Sequence, residues 1–158
     1  MDVIKTTFTN AVFEDAKWHD NKIHGFFFRQ EKFVSDIVFD IDFILEWLCK
    51  ETCKFKIAPA SLVFHNVTDL RIVIDWGDSD FQRSVMGMHI VEIKRNIVKT
   101  RMKFPEYYKW NIELSDKHSE INFGASGFTQ YLRSEAIWTD KQFLTIEQRE
   151  NACFPYSP

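Results

Sequence analysis

Between Asp36 and Leu48 every odd position is apolar: Ile37, Phe39, Ile41, Phe43, Leu45 and Trp47. The even positions carry Asp36, Asp40, Asp42 and Glu46, interleaved with Val38, Ile44 and Leu48. A helix would scatter those odd positions around its circumference, whereas a strand places all of them on one face. The segment therefore reads as one long strand, buried on one side and partly wet on the other. That is the pattern of antiparallel sheets.

The same alternation returns downstream. Leu70, Ile72, Ile74 and Trp76 alternate with Arg71, Val73 and Asp75; Tyr108, Trp110, Ile112 and Leu114 with Lys109, Asn111 and Glu113; Ile121, Phe123 and Ala125 with Asn122 and Gly124. Weaker strand patterns cover Lys22–Gln30, Ser61–Val67, Met88–Arg95 and Phe128–Arg133. Turn chemistry separates them at Asn66–Asp69, Gly77–Asp80 and Ser115–His118. Pro59 cannot donate to a ladder and marks a bend, bulge or edge between two strand halves, and Gly124 and Gly127 mark a corner. Thr139 with Gln142 reads as a capping box opening a helix near 140–151, with Phe143, Ile146 and Leu144 as its apolar stripe. The expected fold is one mainly β domain over residues 1–158. It is an antiparallel meander forming a sandwich or partly open barrel of about seven to nine strands, closed by a C-terminal helix. The stretch up to Asp20 has no decisive pattern.

Composition narrows the function classes. The 158 residues include 16 Phe, 5 Trp and 4 Tyr, a content that favours pleated, half-buried surfaces. Lys and Arg number 20 against 23 Asp and Glu, so the net charge of −3 argues against a generic nucleic-acid binder. The aromatic and basic run Arg101–Lys109 could be a stacking platform for single strands, but Tyr107, Tyr108 and Trp110 are accordingly read as core and edge residues of one strand. No apolar run is long enough for a membrane helix, and the first residues, Met1-Asp2-Val3-Ile4-Lys5, lack a signal-peptide pattern. Cys49, Cys53 and Cys153 are odd in number and sparse, so they read as free thiols in a cytosolic chain.

Two groups of residues carry candidate chemistry. Trp18-His19-Asp20-Asn21-Lys22-Ile23-His24 offers two imidazoles and a carboxylate just before a strand. Read functionally, it is a metal site or general base, with His65 or His89 as a further ligand. Read structurally, it is a turn closed by Asp20 or Asn21, anchored in the core by Trp18, with His19 bonded to backbone. Asp40 and Asp42 lie two apart on the polar face of the long strand, and Asp75 could join them if its strand pairs there. Such carboxylates can do acid–base work or hold a hard cation, but they also serve as a solvated or salt-bridged strand face or meet a basic partner. Ser126, between Gly124 and Gly127, lacks the Gly-x-Ser-x-Gly spacing of a nucleophile elbow and reads as a tight corner.

Trp18-His19-Asp20, the Asp36–Leu48 strand, Ala58-Pro59-Ala60-Ser61-Leu62-Val63-Phe64 and Gly127-Phe128-Thr129-Gln130-Tyr131 together resemble small bacterial β-rich proteins of uncharacterised families. Several of these carry an aromatic-His-Asp tripeptide before their first strand, and some are predicted immunity proteins of polymorphic toxin systems. The resemblance implies a chain that binds and blocks a cognate toxin, and it brings no catalytic set and no cofactor. The expected function is therefore that of a non-enzymatic cytosolic interaction protein, with Trp18, His19, Asp20, His24, Asp40, Asp42 and Asp75 as candidate contact residues. Its partner is a toxin or a second copy joined through a sheet edge. The alternatives are a β shell around a small apolar ligand and a metal-dependent enzyme using His19 and His24.

Overall fold

The computed structural model describes residues 7–76, 87–99, 104–116 and 118–149. Within them the chain is mainly β, as its alternating pattern requires. It runs β1 (Thr7–Thr9), a 3-10 helix (Asn10–Asp15), β2 (Lys22–Glu31), β3 (Val34–Cys49), β4 (Cys53–His65), β5 (Thr68–Val73), β6 (Met88–Ile97), β7 (Tyr108–Leu114), β8 (Glu120–Ala125), β9 (Gly127–Leu132), β10 (Ile137–Thr139) and α1 (Ile146–Arg149). Every strand pair is antiparallel.

The strands form one sheet in the order β1-β9-β4-β3-β2-β6-β7-β8-β5, with β10 alongside β4. It folds over as two layers that do not close into a barrel. The first layer is β1-β9-β4-β3-β2, and the second is β6-β7-β8-β5. Lys22 and Ile23 of β2 join them by pairing with His89 and Met88 of β6. The β4–β5 and β8–β9 connections pass from one layer to the other. At the second of these, Ser126 turns the chain, and a side chain on Gly127 would run into Asn10, whose Oδ1 accepts the Phe128 N–H at 2.9 Å.

Between the layers lies one aromatic core. Ile37, Phe39, Ile41 and Phe43 of β3 face Ala60, Leu62 and Phe64 of β4, and pack against Trp110 and Ile112 of β7 and Ile121 and Phe123 of β8. Phe64 meets the rings of Trp110 at 4.9 Å and Phe123 at 4.7 Å, both edge-to-face. Tyr107, Tyr108 and Trp110 are buried, with Tyr108 and Trp110 on β7 and Tyr107 just before it; residues 101–103 lie outside the described residues.

Several expectations need correction. Pro59 marks no break, because it lies inside the continuous β4, opposite Asp42. Its carbonyl accepts the Arg133 N–H at 2.8 Å. In antiparallel pairing a residue's N–H and C=O point the same way, so its missing donor faces the gap where β4 exchanges β10 for β9 as neighbour. The irregularity is instead on β3, where a bulge at Leu45 shifts the register between Ile44 and Glu46. Beyond it the faces exchange, so Trp47 leaves the core side and lies opposite Phe55, the rings 5.1 Å apart. The strand pattern from Leu70 to Trp76 ends at Val73 in β5, and Gly77–Asp80 lies outside the described residues.

Helix 140–151 is also corrected. Thr139 ends β10 and its Oγ1 accepts the Lys141 N–H at 3.2 Å. The capping box sits later: the Gln148 N–H donates to Thr145 Oγ1 at 3.4 Å and the Thr145 N–H to Gln148 Oε1 at 2.8 Å. Leu144 cannot be part of a helical stripe because it fills a small cluster with Ile44, Phe55 and Ile57 on the outer face of the first layer. Finally, Cys49 and Cys53 are not free thiols but form a disulfide across the end of the β3–β4 hairpin. No described helix is long and apolar enough to cross a membrane.

Candidate functional site

The outer face of the first layer is polar in sequence yet covered in the fold. Asp40 and Asp42 project from β3 on this face, beside Ser61 and Pro59 of β4. The segment from Ile137 to Arg149 returns across them. Arg149 donates through Nη1 to Asp42 Oδ1 and through Nη2 to Asp40 Oδ1, the latter at 2.5 Å. Arg133, just past β9, donates to the same Asp40 oxygen at 2.5 Å. Asp42 Oδ2 accepts from His24 Nε2 and from the Leu144 N–H, each at 2.8 Å. The Asp42 side chain is fully buried, and those of Arg133 and Arg149 are only 5% and 13% exposed.

Of the two structural readings of this strand face, solvated or salt-bridged, the fold takes the salt-bridged one. Two carboxylates are matched by two guanidiniums, because the returning C-terminal segment excludes water and a lone buried charge would be prohibitively costly. The result is a charge-balanced clamp on Leu144 and Arg149. It leaves no carboxylate oxygen of Asp42 open for proton transfer to a substrate.

The Trp18–His24 group divides in the same structural direction. Trp18 is buried among Phe13 and Phe128, and its Nε1–H donates to Gln130 Oε1 at 2.7 Å. Asp20 takes a left-handed turn conformation with φ of 64°, as turn carboxylates tolerate. His19 pairs with the Asp20 carboxylate at 3.0 Å rather than with backbone. Asn21 Oδ1 accepts the Ile44 N–H at 3.1 Å, holding β3 where β2 no longer flanks it, next to the bulge. His19 and His24 are thus engaged by different carboxylates. Among the described residues no three His, Cys, Asp or Glu side chains converge in a way that could hold a metal. His65 instead bridges Asp36 at 3.2 Å and Thr129 at 2.9 Å. Asp75 lies past β5 in the second layer, where its N–H donates to Ser119 Oγ at 2.8 Å, and it does not join Asp40 and Asp42.

Two of these groups titrate away from their ordinary values. Burial, reinforced by the charges of Lys22 and His24, lowers the pKa of His89, with Asp20 and Asp116 opposing. Burial pushes Asp36 up, but the Arg29 guanidinium, the Asn66 amide and His65 outweigh it and hold the carboxyl below 3.8. Both groups bind protons more weakly folded than unfolded, so both favour the fold at higher pH. The His89 contribution is complete above its ordinary value of 6.5 and falls as pH drops from there through its lowered value. The Asp36 contribution falls only below its ordinary value of 3.8. Denaturant midpoints should therefore decline in two stages on acidification. His89→Gln should flatten the stage that begins near the ordinary histidine value, and an unchanged upper stage in that variant would refute the assignment.

What the sequence pattern missed lies at the far end of the β3–β4 hairpin. Past the Leu45 bulge the hairpin outruns the second layer and exposes Trp47 (47%) and Leu48 (53%), while neighbouring β10 exposes Ile137 (38%) and Trp138 (45%). Pairing places Trp47 and Ile137 on the outer face with Phe55 and Ile57, and Trp138 on the opposite face with Lys56. Apolar surface is therefore offered on both sides of a protruding blade. Its tip is closed by the Cys49–Cys53 bridge, and Trp47 Nε1–H donates to Cys49 Sγ at 3.0 Å. At the root of the blade an open cleft of about 700 Å3 is lined by Phe8, Phe43 and Leu45 with Lys17, Glu46 and Lys56 on its walls. A smaller exposed group, Phe28, Phe33 and Val34, surrounds the β2–β3 turn at the other end of β3. The signal available in sequence was the pair of cysteines with three residues between them, two positions after a tryptophan, a spacing that suits a short hairpin loop. No family model, curated protein or solved structure matches the chain.

Proposed function

We propose that the chain is a non-enzymatic protein-binding module that inserts the end of its β3–β4 hairpin, together with β10, into an apolar groove of a partner protein. This is the mode of action expected of an immunity-like protein that occupies a toxin. The observation that carries the reading is the concentration of Trp47, Leu48, Ile137 and Trp138, all exposed, on the two faces of one protruding element. Exposed tryptophans paired with aliphatics are the residues that dominate binding energy when they fill a partner's pocket. Apolar groups on both faces suit insertion between two walls better than docking on a flat surface. The polar group around Asp40 and Asp42 supports this division of labour, since its charges are spent inside the molecule.

The test compares the full chain with the double variant Trp47→Ser, Trp138→Ser, each isolated from its producing cells under mild conditions and weighed by native mass spectrometry. The wild type is expected to carry a stoichiometric protein partner, and the double variant to weaken its capture at least about tenfold, the loss of one good anchor or more. A partner held equally by both proteins, or a wild type that is always a bare monomer, would overturn the reading. The cleft favours a second reading, a small apolar ligand held in this open cleft outside the filled core rather than enclosed by the β shell. In the same spectra it would appear as a discrete added mass of small-molecule size that Leu45→Glu removes.

A further inference from the structure

The Cys49–Cys53 bridge stands where little else holds the chain. Cys49 and Cys53 are directly opposed in the β3–β4 pairing, with Lys50, Glu51 and Thr52 as the loop between them. The only backbone bond inside that loop is a long one, Lys50 N–H to Thr52 C=O at 3.4 Å. From Glu46 to Lys54 every residue is exposed, and the first buried side chain inward from the tip is Phe55. Neither the core between the layers nor the Leu144 cluster reaches the tip. Beyond the Trp47–Phe55 ring contact and the Glu46–Lys56 ion pair at its base, its order rests on a few ladder bonds at the end of a hairpin, which are marginal in water without a packed face. The covalent link closes a very short loop far from the core, so it steadies the tip locally.

The bridge is also accessible. Both cysteines are exposed at the hairpin tip, where an external thiolate can approach. In an oxidising compartment the bridge persists, and a cytosolic thiol pool would tend to reduce it.

We propose that Cys49–Cys53 is a redox-controlled clasp: reduction by a dithiol releases the hairpin tip and, with it, the ordered presentation of Trp47 and Leu48. The consequence for binding rests on the function proposed above, while the clasp itself does not. In the reaction, one thiolate of the dithiol attacks Sγ of one cysteine, forming a mixed disulfide and expelling the other cysteine as a thiolate. The second thiol of the reductant then displaces the first cysteine. Two electrons pass to the protein, Cys49 and Cys53 each end as a thiol, and the reductant ends as a disulfide. Reduction also changes the acceptor beneath the Trp47 N–H from a bridged sulfur to one on a freely rotating side chain.

The experiment uses the full chain carrying Cys153→Ser, so that only this pair titrates. Alkylation and mass measurement count free thiols before and after dithiothreitol, and amide hydrogen exchange is followed by peptide across β3 and β4. Air-oxidised protein should show no free thiol, and two after reduction. Reduction should speed exchange in Glu46–Lys54 by about tenfold or more and leave Ile57–Phe64 unchanged. The double variant Cys49→Ser, Cys53→Ser should exchange like the reduced protein under both conditions. Two free thiols in air-oxidised protein, or tip exchange that is the same in oxidised and reduced chains, would overturn the clasp. Exchange that quickens equally through Ile57–Phe64 would also overturn it, because the bridge would then support the whole hairpin. These outcomes are independent of the tryptophan variants: a working clasp on a chain that binds nothing sinks the binding reading alone, and redox-indifferent binding through Trp47 and Trp138 sinks the clasp alone.

Discussion

Asp42→Ala should cost about 3–5 kcal/mol of folding stability, the range for stranding one member of a buried ion pair. Asp42 is fully buried and satisfies His24, the Leu144 N–H and Arg149 at once. Removing it leaves the Arg149 guanidinium beside Asp40, which already accepts from Arg133. The Leu144 amide is left without an acceptor in an apolar cluster, a further desolvation cost of about 1–3 kcal/mol within that range. Arg149→Met should cost less, because Asp42 keeps His24 and the Leu144 amide and the methionine can cover the same apolar surface. Urea unfolding with limited proteolysis of the C-terminal segment measures both effects: Asp42→Ala should expose the segment near Leu144 to cleavage at denaturant concentrations where the wild type resists. A stability within about 1 kcal/mol of wild type would mean that these ion pairs are exposed to water and contribute little.

Phe64→Ala should be of similar size, about 3–5 kcal/mol, for a different reason. Phe64 is 1% exposed and sits where the layers meet, with Trp110, Phe123, Phe39 and Phe128 around it at ring distances from 4.7 to 6.2 Å. Truncation removes the transfer free energy of the ring and leaves a cavity walled by rings that belong to four strands. Rings held from both layers cannot all collapse inward. Phe64→Leu should recover much of the loss, since it restores most of the volume without the edge-to-face contacts. Thermal or urea denaturation distinguishes the two variants. Equal costs for Ala and Leu would show that ring geometry, rather than filled volume, holds the layers together. An alanine cost under about 1 kcal/mol would show that the site repacks freely.

The two expectations bear on different parts of the molecule: Phe64 lies between the layers, whereas Asp42 acts through Leu144 on the outer-face cluster at the root of the blade. The functional proposals are testable on their own, since Trp47, Trp138, Cys49 and Cys53 are exposed and lie outside the core between the layers, Trp47 touching only the edge of the outer cluster at Phe55.

The long strand, its core face up to Phe43, and the strands carrying Trp110 and Phe123 were legible in the chain because side-chain direction alternates with a period of two, whatever surrounds the strand. The turn reading of Asp20 and Asn21 and the corner at Ser126 were legible for a similar reason: short polar residues and glycine adopt backbone conformations or close approaches that other residues resist. The rest needed tertiary structure. A bulge inserts one residue without marking the sequence, so Trp47 reads as core and emerges as surface. Whether Asp40 and Asp42 are wet depends on Arg133 and Arg149, which lie about a hundred residues away in the chain and reach them only when the C-terminal segment folds back. The Cys49–Cys53 bond depends on cross-strand register, which places the two sulfurs face to face. Local pattern decides which way a side chain points, and only the packed chain decides what stands there to meet it.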